Sequence, residues 1–120
     1  MEETIKLGKK IIKKLRCENL IITLGKDGMM LFEKEGKGFH IPAVAREVYD
    51  VTGAGDTVVS TLTLSLATGA DILSASIISN FAAGVVVGKL GAASLTREEL
   101  KDIFQKNYQY EYIKVFRWKE

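Results

Sequence analysis

The rhythm of apolar and polar positions changes along the chain, and each change predicts an element. Over residues 2–16, Ile5, Ile12 and Leu15 fall near one face of a helix and lysines on the other, an amphipathic pattern. Asn19–Leu24 is a short apolar run rich in β-branched residues, which predicts a buried strand. Gly25-Lys26-Asp27-Gly28 turns the chain into a second strand at Met29–Glu33. Glu35-Gly36-Lys37-Gly38 turns it again into a third at Phe39–Pro42. The only proline, Pro42, closes that strand because it has no N–H to give a ladder. Residues 43–51 read as irregular chain, or as a short strand at Val48–Val51.

The period then becomes helical. From about Ala54 to Thr68, Val58, Val59, Leu62 and Leu66 recur at helix spacing, and Gly69 is a stop signal. Asp71 can cap the next helix, which runs to about Val87 and is apolar nearly all round. A helix of that kind belongs inside a larger core, so any face left uncovered predicts self-association. Gly88-Lys89-Leu90-Gly91 ends it. Thr96 and Glu99 have capping-box spacing and start a helix with Leu100, Ile103 and Phe104 on its inner face. The tail, Tyr108–Trp118, is aromatic and β-branched and reads as a strand.

Composition narrows the function classes. At 120 residues, 47% hydrophobic and 27% charged, the chain is long enough and apolar enough to fold as a single domain, 1–120. Net charge is +2, which gives no reason to expect nucleic acid as a partner. Lys6, Lys9, Lys10, Lys13, Lys14 and Arg16 follow helical spacing and read as a solvated face. Cys17, the single cysteine, excludes an internal disulfide, fits a reducing cytoplasm and reads as packing filler. Ile72–Leu90 carries Ser74, Ser76, Ser79, Asn80 and Lys89, so a buried helix is expected there and no membrane span. His40 reads as structural or exposed. Tyr108, Tyr110, Tyr112, Phe116 and Trp118 read as core or interface.

The chemistry concentrates in Asp50-Val51-Thr52-Gly53-Ala54-Gly55-Asp56-Thr57, between the strands and the apolar helices. Glycines 53 and 55 permit a tight turn and close approach of a ligand. A helix starting near Ala54 points unpaired amides outward, and its dipole favours an anion there. Asp56 stands in that first turn. Amides aimed at an anion with a carboxylate beside them are the parts of phosphoryl transfer to a hydroxyl. The turn is not a Walker A loop, since no Gly-Lys-Ser/Thr follows. Val58 stands where a dinucleotide fingerprint has its third glycine.

This octapeptide resembles the C-terminal signature of the ribokinase-like (PfkB) carbohydrate kinases. Thr23-Leu24-Gly25-Lys26-Asp27-Gly28 resembles that family's nucleotide-binding hairpin. Residues 80–91, Asn-Phe-Ala-Ala-Gly-Val-Val-Val-Gly-Lys-Leu-Gly, are similar to the kinase domain of bacterial ADP-heptose synthases, which phosphorylates heptose 7-phosphate at O1. The likeness runs from about residue 3 to 106 and leaves the 107–120 tail unmatched. It implies an α/β fold: the C-terminal part of a three-layer ribokinase-like domain, a β-meander followed by helices.

The resemblance also implies roles. Asp56 matches the catalytic base, and Gly53, Ala54 and Gly55 match the anion hole. Thr23, Gly25, Asn80 and Gly84 match the nucleotide site. Asp50 and Thr52, with carbonyls around Val86, Lys89 and Gly91, match a loop for a monovalent cation such as K⁺. ATP with Mg²⁺ is the implied donor, and a sugar or sugar phosphate the acceptor. Plainer roles stand beside these: Asn80 as a buried amide, Thr52 as a helix cap, Lys89 as a charge at a helix C-terminus.

Family members are more than twice as long as this chain. Their N-terminal half carries the sugar-binding residues, so the expectation is a cytoplasmic kinase portion inactive without that half. The partner would be a chain carrying that half or a second copy. The alternative is a non-catalytic module that binds nucleotide or only oligomerises.

Overall fold

Apolar spacing and a charge gradient suit the first segment to a helix. Glu2 and Glu3 lie in its first turn, Lys13 and Lys14 in its last, each favourable to the helix dipole. In the computed structural model, which describes residues 1–44, 48, 50–89, 94–106 and 113–119, this is α1 (Glu2–Leu15). The side chains of Phe104 and Lys106 are outside that description. Strands β1 (Asn19–Thr23), β2 (Met29–Glu33) and β3 (Lys37–Ile41) follow. Then come α2 (Ala54–Ala67), α3 (Ile72–Val87), α4 (Arg97–Lys106) and β4 (Lys114–Arg117). The described residues form two compact units, Met1–Pro42 with Glu111–Glu120, and Ala43–Tyr110.

In the first unit the strands form one antiparallel sheet in the order β1-β2-β3-β4. Of the tail, Lys114–Arg117 is a strand, and it pairs on β3, with Gly38 opposite Phe116 and Phe39 opposite Val115. Strand β3 starts at Lys37, earlier than the glycine spacing suggests. Lys34, Glu35 and Gly36 make the turn, closed by Gly36 N on Glu33 O at 2.9 Å with Gly36 at φ 111°, and a Cβ on Gly38 would lie 2.3 Å from the Phe116 ring. Gly38 is therefore a strand position under an aromatic ring. One face of the sheet carries Met30, Phe32 and Trp118, buried with Ile12 of α1. Ile5, Cys17, Leu20, Ile22, Leu24 and Phe116 pack around that cluster, and the Phe32 and Phe116 rings meet edge to face at 5.6 Å. Trp118 keeps its indole N–H satisfied by the Glu33 carbonyl at 2.8 Å. Leu15 does not join the apolar face of α1. It is 65% exposed, because the helix ends in a left-handed turn at Arg16 and Cys17 packs on the cluster in its place.

In the second unit, α2 packs on α3 and α3 on α4. Gly69, at φ 101°, stops α2. Its amide reaches Leu66 O, and Ala70 N reaches Ser65 O, the paired bonds of a Schellman motif. Asp71 caps α3 by accepting from Ser74 N at 2.8 Å and Ser74 Oγ at 2.9 Å. Those bonds hold its carboxyl below the usual range. Ser76 and Ser79 are buried within α3 and donate to Ile72 O and Ser76 O, so neither is left unsatisfied. Thr96 and Glu99 form the expected capping box at α4. The open apolar surface is on α2, and α3 has no large apolar side chain exposed. Val59 is 63% and Leu64 67% exposed. The 48–51 segment is not a strand at its described residues, and Val51 is exposed. Tyr108, Tyr110, Tyr112, Leu90 and Gly91 lie outside the described residues. No helix among the described residues is long and apolar enough to cross a membrane.

Candidate active site

The turn at 50–57 is built from its own short-range bonds. Asp50 Oδ1 accepts from Thr52 N at 2.8 Å and from Thr52 Oγ1 at 2.6 Å. Asp50 N donates to Val87 O at 3.3 Å, which ties this turn to the end of α3. Gly53 is the residue before α2 and sits at φ 80°, a left-handed conformation that costs a residue with a Cβ. Its carbonyl accepts both the amide and the hydroxyl of Thr57, at 3.0 and 3.1 Å, and so starts the helix. No side chain caps α2. Thr52 therefore is not the helix cap; its hydroxyl is spent on Asp50.

One amide of the expected anion hole is occupied. Ala54 N donates to Val51 O at 3.1 Å. The amides of Gly53, Gly55 and Asp56 have no acceptor among the described residues. Asp56 is exposed in the first turn beside them. Gly55 has ordinary helical backbone, and a Cβ built on it would meet nothing within 4 Å. Neither conformation nor packing calls for glycine there.

The other singled-out residues fall on separate elements. Thr23 ends β1, and Gly25 opens a 3-10 turn, Gly25–Asp27, at φ 59° with open space around it. Asn80 is 5% exposed and Gly84 half-buried, both on α3. Val86 O accepts Lys89 N at 3.1 Å as α3 unwinds. The Lys89 ammonium pairs with Glu99 at 2.6 Å and donates to Ser94 O at 2.8 Å, so this lysine joins the ends of two helices. That pairing, followed by the Thr96 amide, lowers the Glu99 carboxyl from its ordinary range. Sequence reasoning gave Lys89 a dipole role and missed this pair; Glu99 ten positions on was the available signal. No group of three or more His, Cys, Asp or Glu gathers as a metal cage among the described residues.

The sequence profile described as pfkB family carbohydrate kinase matches residues 1–99. The chain belongs to that family. Its PfkB segment is 49% identical over 100 residues to the bifunctional protein HldE of Halorhodospira halophila, covering 83% of this chain and 21% of that protein. HldE of Nitratiruptor sp. is 46% identical over 118 residues, covering 96% of this chain and 25% of the relative. The chain thus spans about a fifth to a quarter of the length of these relatives. Ribokinase from Thermotoga maritima superposes with a TM-score of 0.74 at 28% identity, over 81% of this chain and 33% of that one. Phosphofructokinase-2 from Escherichia coli, solved in complex with potassium, gives 0.80 at 18% identity, over 90% and 35%. The last likeness concerns the fold alone. The fold is thus ribokinase-like α/β, with the meander and helices in the order the sequence predicts.

Proposed function

We propose that this chain supplies the phosphoryl-transfer turn of an ATP-dependent sugar kinase acting in the cytoplasm, with heptose 7-phosphate as the acceptor through O1. The observation that carries the reading is Gly55: a glycine that folding does not require, whose own amide and that of Asp56 have no acceptor among the described residues, beside an exposed carboxylate. Close approach of an anionic group accounts for all three. Kinship with HldE proteins supports the heptose acceptor.

The chemistry then follows from the turn. The Gly53, Gly55 and Asp56 amides take up charge on the transferring phosphoryl group. Asp56 accepts the proton of the sugar hydroxyl as the new O–P bond forms and the bond to the β-phosphate oxygen breaks, which releases ADP. Membership of the family supports nucleotide-binding roles for Thr23 and Gly25 in the sheet unit and, taken separately, for Asn80 and Gly84 on α3. The Asp50 carboxylate with carbonyls at the end of α3 would hold a hard monovalent cation, and the bond from Asp50 to Val87 brings that turn to the end of α3. Mg²⁺ would enter with the nucleotide and would neutralise phosphate charge, a role that needs few protein ligands. The groups that read the sugar belong to chain beyond these 120 residues, and transfer requires them.

The test joins this chain to the N-terminal kinase part of an HldE relative, fused or as a separate protein. Asp56→Asn should lower phosphoryl transfer by about 10²–10⁴-fold, the usual contribution of a general base, with nucleotide affinity little changed. Near-normal turnover of Asp56→Asn would leave the turn as an anion site without a base.

A further inference from the structure

His40 is the residue that neither the fold nor the phosphoryl-transfer turn accounts for. It stands on β3 opposite Met30, and its ring reaches across to the β1–β2 connection. There His40 Nε2 lies 2.9 Å from the Asp27 carbonyl oxygen. A carbonyl can only accept, so Nε2 carries the proton and the ring is a donor. Nδ1 then holds the lone pair in the neutral ring; it is buried and has no partner among the described residues.

The turn that His40 grips is otherwise held by main-chain bonds. Leu24 N donates to Gly28 O at 2.8 Å, Asp27 N to Leu24 O at 3.2 Å, and Gly28 N to Gly25 O at 3.1 Å. None of these uses the Asp27 carbonyl. Gly25 and Gly28 both sit at positive φ, 59° and 86°, so the turn has two of its most permissive residues at its corners. A Cβ built on Gly25 would meet nothing within 4 Å. Leu24 packs on the core cluster and Gly28 is buried, but Gly25, Lys26 and Asp27 between them are exposed, and among the described residues the side-chain tie on this exposed crown is the imidazole from the third strand.

We infer that His40 is a positioning residue: its N–H to Asp27 O pre-sets the Thr23–Gly28 turn for the nucleotide. This rests on the nucleotide reading above. A preset turn binds without first losing its freedom, so removing the anchor weakens binding while leaving the sheet core in place.

The experiment titrates Mg·ATP into the full 120-residue chain by calorimetry, for wild type, His40→Phe and His40→Gln. Amide hydrogen exchange of Leu24 and Gly28 is followed in the same three proteins. Phe keeps an aromatic ring but has no donor; Gln keeps a donor. His40→Phe should bind about tenfold more weakly and exchange those two amides faster, with unchanged thermal unfolding. His40→Gln should recover most of the affinity. Equal affinity of wild type and His40→Phe would overturn the inference, as would weak binding by His40→Phe with exchange unchanged. A wild-type chain that binds no nucleotide overturns the nucleotide reading, and this inference with it.

Discussion

Two glycines in each unit of this protein have opposite reasons to be glycine. In the sheet unit Gly8 and Gly38 make room for rings: a Cβ on Gly8 would lie 2.2 Å from Phe32, and one on Gly38 would lie 2.3 Å from Phe116. In the helical unit Gly53 and Gly55 face open space within 4 Å. Packing explains the first pair. Backbone conformation explains Gly53, and for Gly55 we propose a ligand. The apolar side chains do not divide the same way: Leu7, Leu15 and Val115 of the sheet unit are more than half exposed, as are Val51, Val59 and Leu64 of the helical unit.

Substituting alanine at a glycine in each unit tests the contrast between the glycines. Gly8→Ala should destabilise the chain by about 1–3 kcal/mol, because α1 must move off the Phe32 ring or the ring must leave its place. Denaturant unfolding measures it, and an unchanged midpoint would show that α1 is not held by that contact. Gly55→Ala should go the other way, adding roughly 0.5–1 kcal/mol of stability because alanine suits a helix better than glycine. Its cost should appear in nucleotide affinity and in transfer by the joined kinase. Loss of stability at Gly55→Ala would mean that packing, not a ligand, selects that glycine.

The exposed apolar side chains make a smaller, concentration-dependent prediction. The isolated 120-residue chain should self-associate through α2, and Val59→Lys with Leu64→Lys should shift it toward monomer in sedimentation velocity. A clean monomer of the unsubstituted chain at micromolar concentration would contradict this.

The smallest effect concerns pH. Glu99 is lowered chiefly by Lys89, so it binds its proton less readily folded than unfolded. Its contribution is therefore present above the ordinary glutamate range, about 4.3, and lost as pH falls through the lowered folded value. Glu99→Gln should flatten the acid limb of the unfolding profile slightly, since the pair is partly exposed and screened. An unchanged acid limb would remove Glu99 from the account.

Much of this protein was legible in residue order alone. Strand β2 matches its expected bounds, and the Asp71 cap, the Gly69 stop and the Thr96–Glu99 box appear as the spacing requires. Each depends on residues a few positions apart, where covalent geometry leaves few outcomes. The resemblance named the family for the same reason, because its motifs are short and contiguous. Long-range placement was decided elsewhere. Trp118 finds Glu33, His40 finds Asp27, and β4 finds β3 only once the sheet forms. Leu15 and Leu64 carry apolar side chains at helical spacing and end in solvent, because periodicity marks a face without saying what covers it. Ala54 shows the limit most sharply. Its place in the glycine turn was readable, but the loss of its amide to Val51 is a matter of backbone angles at Gly53, which no side-chain pattern records.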